Sequence, residues 1–101
     1  MSIRFHDDGG VFVVETTAAA GYLLKSHQHA HAHLSVLVSG TADVTVDGKT
    51  ERMDGYKMIT VPAHTRHTVM AVTDIVWLCL WADDVAPREQ AEESLKLVIA
   101  A

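Results

Sequence analysis

Four histidines alternate with other residues in the segment His27-Gln28-His29-Ala30-His31-Ala32-His33, and two more stand at His64 and His67. Imidazole is the commonest metal ligand and the side chain whose charge changes near neutral pH. On an extended strand, residues i and i+2 face the same way with Cα atoms about 6.5–7 Å apart. His27 and His29 can therefore converge on one divalent ion, with nitrogen–metal bonds of about 2.0–2.1 Å. The small residues Ala30 and Ala32 flank His31 and indicate a tight turn there. His33 then opens the returning strand and faces the same cavity. A fourth ligand must come from elsewhere, and His67, at the end of Pro62-Ala63-His64-Thr65-Arg66-His67, is the candidate. His31 and His64 read as turn residues, with His64 also a neighbour for the ligands, and His6 reads as a surface residue.

Such a cluster needs a rigid frame, and strand signals dominate the chain. Val11–Glu15, Gly21–Lys25, Leu34–Val38, Ala42–Val46, Lys57–Val61, Thr68–Val72 and Ile75–Ala82 are rich in Val, Thr, Ile and Leu. Gly, Asp and Ser punctuate them. Asp47-Gly48 is the clearest hairpin signal, because a two-residue type I′ turn needs positive φ at both positions. Many short strands without interleaved helices predict an all-β sandwich or barrel. One short helix is expected at about residues 85–99. Asp83 or Asp84 can cap it, Pro87 suits its first turn, and Glu89, Glu92 and Glu93 favour its positive end. The 101 residues suit a single domain, with the barrel over about 10–82.

Composition removes several functions. Eight basic and 13 acidic residues give a net charge of −5, which argues against a nucleic-acid or membrane partner. Cys79 is the only cysteine, so neither an internal disulfide nor a cysteine-rich zinc site is expected. It lies within Ile75-Val76-Trp77-Leu78-Cys79-Leu80-Trp81 and reads as a small buried hydrophobe. No stretch has the length of a signal peptide's apolar region at the N-terminus or of a membrane span, so the expected location is cytoplasmic. The run Ile75–Trp81 is apolar on both faces. A strand with one wet face alternates, so the outer face here must also be covered, by the C-terminal helix or by another subunit. A homodimer is expected.

The histidine segment resembles the first motif of the cupin superfamily, which runs glycine, five residues, His-x-His, three or four residues, Glu, six residues, Gly. Gly21, five residues, His27-Gln28-His29, three residues, His33, six residues and Gly40 follow it, with histidine in the glutamate position. The second motif runs glycine, five residues, Pro-x-Gly, two residues, His, three residues, Asn. Gly55, six residues, Pro62-Ala63-His64, two residues, His67, three residues and Ala71 follow it more loosely. There is one extra residue, His64 replaces the glycine and Ala71 the asparagine. Between the motifs lie 14 residues, Thr41 to Asp54.

The resemblance implies a double-stranded β-helix, the jelly-roll barrel of cupins. It implies one divalent transition metal (Mn, Fe, Ni, Cu or Zn) inside, held by His27, His29, His33 and His67. Four neutral ligands would leave the ion its full positive charge and make it a strong Lewis acid for an anionic oxygen ligand. Tyr22, Met58, Met70, Trp77, Cys79 and Trp81 lie on barrel strands and are candidates for the pocket lining. No carboxylate falls within either motif, so proton transfer would fall to metal-bound water, a spare histidine or Tyr22. The implied function is a small metal-dependent enzyme, of dioxygenase type or an isomerase/lyase. The alternative is a non-catalytic small-molecule or metal-binding sensor. No helix-turn-helix fits into residues 83–101.

Overall fold

The computed structural model describes residues 1–25 and 32–82. These form nine strands: β1 (Ser2–Asp8), β2 (Val11–Ala18), β3 (Leu23–Lys25), β4 (His33–Ser39), β5 (Thr41–Val46), β6 (Lys49–Asp54), β7 (Lys57–Val61), β8 (His67–Ala71) and β9 (Ile75–Ala82). They build two antiparallel sheets, one in the order β1-β2-β9-β4-β7 and one in the order β3-β8-β5-β6. This is the all-β, jelly-roll architecture expected. The expected C-terminal helix lies outside the described residues. No helix among the described residues is long and apolar enough to cross a membrane.

Period-two alternation decides which residues enter the core. In β2, Phe12, Val14, Thr16 and Ala18 are buried, and in β8 His67, Val69 and Ala71 are. Leu24, Leu37, Val44, Val69, Ile75 and Trp77 meet between the sheets. β9, whose parity is ambiguous in sequence, turns Ile75 and Trp77 inward at 1% and 3% exposure. Val76, Leu78 and Leu80 fall on its other face and are half-buried.

The β5–β6 hairpin forms as expected. Val46 pairs with Lys49, and the intervening Asp47 and Gly48 have φ of 51° and 80°. Two strands go beyond the seven expected. β1 has only Ile3 and Phe5 as apolar residues; it is an edge strand held by β2, and Phe5 stacks on Phe12 at 6.0 Å. β6 is also an edge strand, and of its residues only Met53 is buried. Edge strands need less apolar surface, so their sequences carry a weaker strand signal.

Between β4 and β5 the chain passes from one sheet to the other at Gly40 (φ 88°). A Cβ there would collide with the Asp74 carbonyl oxygen and press on Ile75. Only glycine fits this corner.

Candidate metal centre

His33 and His67 each open a strand, β4 and β8 respectively, and the two strands lie in different sheets. His33 pairs with Val61, the last residue of β7, and His67 with Val46, the last residue of β5. Both imidazoles thus sit at strand ends at one end of the sandwich. They are 4% and 5% exposed, and their ring centroids are 5.3 Å apart with an interplanar angle of 51°.

Two imidazoles bonded to one ion at about 2.0–2.1 Å place their centroids on the order of 5 Å apart. The observed spacing fits that arrangement, and the donor set is neutral nitrogen, which suits late divalent transition metals. Among the described residues no group of three or more His, Cys, Asp or Glu surrounds a common point. His27, His29 and His31 lie outside the described residues. The chain leaves the described part at Lys25, beside Thr68, and re-enters it at Ala32, just before His33. The six intervening residues carry the other three histidines of the segment.

The frame around the pair is tied together by the ends of the two motifs. Gly21 N–H donates to the Ala71 carbonyl at 2.7 Å, and Ala71 N–H donates to the Tyr22 carbonyl at 2.9 Å. These bonds hold the start of β3 against the end of β8. At the other end of β8, Asp47 N–H donates to the Arg66 carbonyl at 3.0 Å, one residue before His67.

The remaining histidines separate cleanly. His64 is exposed, with φ 59°, in the turn before β8. His6 is an exposed residue of β1 whose Nε2 lies 3.2 Å from Glu15 Oε1. Arg66 is exposed.

The expected pocket lining is corrected in two places. Met58 is 55% exposed and shares the outward parity of Thr60 on β7. Met70 alternates with buried Val69 and Ala71 and so faces away from the core. Trp77 is core, and Tyr22 packs against the core from its margin. The side chain of Trp81 is not among those described.

Cys79 does turn inward. Its Sγ lies 3.6 Å from Ser35 Oγ, and burial pushes the thiol pKa up, against weaker opposing effects of Ser35 and Trp77. The residue is half-buried and packs against the core from its margin, more open than the buried position expected. Ser35 itself is fully buried and was not singled out from the sequence. The signal was its spacing, since i+2 from an inward His33 must also face inward.

The buried polar residues among those described are Thr16, His33, Ser35 and His67. None is a carboxylate. Asp43, whose hydrogen bond from Arg52 (2.8 Å) holds its carboxyl below the usual range, lies on an exposed surface. Proton transfer at the histidine pair therefore has no buried protein acid among the described residues to serve it.

Structural comparison places this fold among solved barrels. KdgF from Halomonas sp. superposes with a TM-score of 0.73 at 20% identity, over 85% of this chain and 81% of that one. A predicted oxalate decarboxylase from Thermotoga maritima gives 0.62 at 11% identity, over 67% and 62%. The salicylate 1,2-dioxygenase from Pseudoaminobacter salicylatoxidans, as a W104Y mutant, gives 0.68 at 18% identity, over 82% of this chain and 24% of that one. No match was found among curated proteins. The sequence pattern of the cupin domain family matches residues 10–81, from the turn before β2 to within β9. The two motifs, the paired antiparallel sheets and this match agree, and the chain belongs to the cupin family.

Proposed function

We propose that the chain is a metal-dependent enzyme of the cytoplasm that acts on a small anionic oxygen ligand. The reaction is oxidative cleavage of dioxygenase type or, failing that, an isomerase or lyase step. His27, His29, His33 and His67 hold one divalent transition metal. The observation that carries the reading is the buried His33–His67 pair, with ring centroids 5.3 Å apart. Bound there, such an ion would supply Lewis-acid polarisation of an oxygen ligand. The chain's own contribution is two buried imidazoles whose positions are set by paired strands. Among the described residues the buried polar side chains are Thr16, His33, Ser35 and His67, and oxidative chemistry asks least of such a set.

Elemental analysis of protein purified without nickel resin tests the site. One equivalent of metal is expected. His33→Ala and His67→Ala should each weaken binding by on the order of 10²–10³-fold, their share of a structural site's binding energy. Parental affinity in the double variant would overturn the ligand assignment. Oxygen uptake with catechols and diketones, metal-loaded against metal-free, tests the reaction. Absence of turnover with every metal would leave a binding protein in its place.

The same proposal includes a homodimer, formed through the outer face of the five-stranded sheet.

A further inference from the structure

β6 and β7 are the edge strands of the two sheets on the same side of the sandwich. Between them lies a cleft of about 380 Å³. That volume is in the range of small-molecule sites, roughly 300–1,000 Å³. Its floor is apolar: Val44 and Val46 from β5, Met53 from β6, Ile59 from β7 and the adjoining Pro62. Lys49 and Glu51 stand on its rim. Away from the histidines, Lys57 Nζ reaches across from β7 to Glu51 Oε1 at 3.7 Å and links the two edges.

The cleft adjoins the candidate metal centre through two rows of paired residues. Across one sheet the row is His67, Val46, Lys49. Across the other, His33 pairs with Val61, which precedes Pro62. The cleft thus lies toward the same end of the sheets as the histidine pair: Val46, which lines it, pairs with His67, and Pro62, which lines it, follows Val61, the partner of His33. An apolar cavity so placed can receive part of any molecule whose polar end is held at the histidines.

We propose that this cleft binds the apolar arm, a short alkyl chain or an aromatic ring, of an amphiphilic carboxylate or enolate whose charged end lies at the histidine pair. Lys49 on the rim adds a positive charge near the path of that end. The proposal rests on the metal-dependent reading only for the charged end. The apolar floor is present whether or not an ion is bound.

The probes are benzoate and 4-butylbenzoate, titrated into the full-length protein both metal-free and zinc-loaded. In both forms the butyl compound is expected to bind about tenfold tighter or more, since each buried methylene adds to affinity. Backbone amide shifts should concentrate at Val44, Val46, Met53 and Ile59. Ile59→Trp fills the cleft and should abolish the preference. Glu51→Trp, from an exposed rim position that shares the inward parity of Met53, should do the same without touching the core. Equal affinities for the two probes, or shifts confined to another face, would overturn the cleft. If zinc fails to bind while the butyl preference persists, the metal-dependent reading falls and the cleft stands. If zinc binds and the preference is missing, the reverse holds.

Discussion

The backbone N–H of Gly55 donates to the carbonyl oxygen of Gly40 at 2.8 Å. These are the closing glycine of the first motif and the opening glycine of the second. The bond joins the corner where β4 becomes β5 to the turn between β6 and β7. A Cβ on Gly55 would come within 2.7 Å of the Ser39 backbone, and one on Gly40 would strike the Asp74 carbonyl oxygen. The two motifs are therefore packed together at the end of β4 opposite His33.

That packing makes a graded prediction. Gly48→Ala meets nothing within 4 Å and should cost only the left-handed backbone penalty, about 1–2 kcal/mol. Gly40→Ala adds a backbone clash, for a total of about 3 kcal/mol or more. Urea denaturation of the two variants measures the difference. Equal losses would show that the corner relaxes.

Metal and proton compete for the same imidazole lone pairs. The rise in melting temperature on adding metal is expected to be complete above about pH 7 and to fade below about pH 6, as histidine with a reference pKa of about 6.5 protonates. The sign follows because the ion binds the neutral ring, so acid removes the stabilisation. Melting curves with and without chelator, recorded across this range, provide the check. Curves that coincide at pH 7.5 would contradict it.

Burial raises the Cys79 pKa, so the folded state favours the neutral thiol. The stability this contributes is fully present below the unfolded thiol's pKa, about 8.5, and is lost as pH rises through that value toward the folded one. Reaction with Ellman's reagent at pH 8 should be at least about a hundredfold slower in the folded protein than in urea. A native rate equal to the denatured one would mean that the thiol is accessible.

The middle of the outer face of the five-stranded sheet, over β4, β7 and β9, carries an apolar patch flanked by Glu15 and Thr60. Leu34 pairs with Leu80, which pairs with Val13, and in the next row Met58 pairs with Val36 and Val36 with Leu78. Leu34 and Met58 remain 36% and 55% exposed. A two-fold axis through this face would bury it against itself. Sedimentation equilibrium is expected to give a dimer, and Leu34→Glu a folded monomer by circular dichroism. A monomeric parent protein would remove the proposal.

Much of the frame was legible along the chain, because local rules suffice where a strand has one wet face. Alternation placed β2, β5 and β8, and Asp47-Gly48 placed a hairpin whose geometry only such residues adopt easily. β1 escaped because an edge strand can be polar, and β6 was marked only at its start, by the Asp47-Gly48 hairpin turn; pairing with β2 and β5 defines both. In β9 both faces are apolar, so parity had no local signature. Packing resolves it, because Trp77 and Ile75 fill the space between the sheets.

The histidines show the same division. Their types and spacing alone marked His27, His29, His33 and His67 as the place where chemistry would occur. That His33 faces inward, and not to solvent, depends on β4 pairing with β7 in one register, since a one-residue slip would turn it out. That His67 lies 5.3 Å from it depends on two sheets closing over a shared core. Residues 34 positions apart are brought together by pairing and burial, neither of which is a property of either segment by itself.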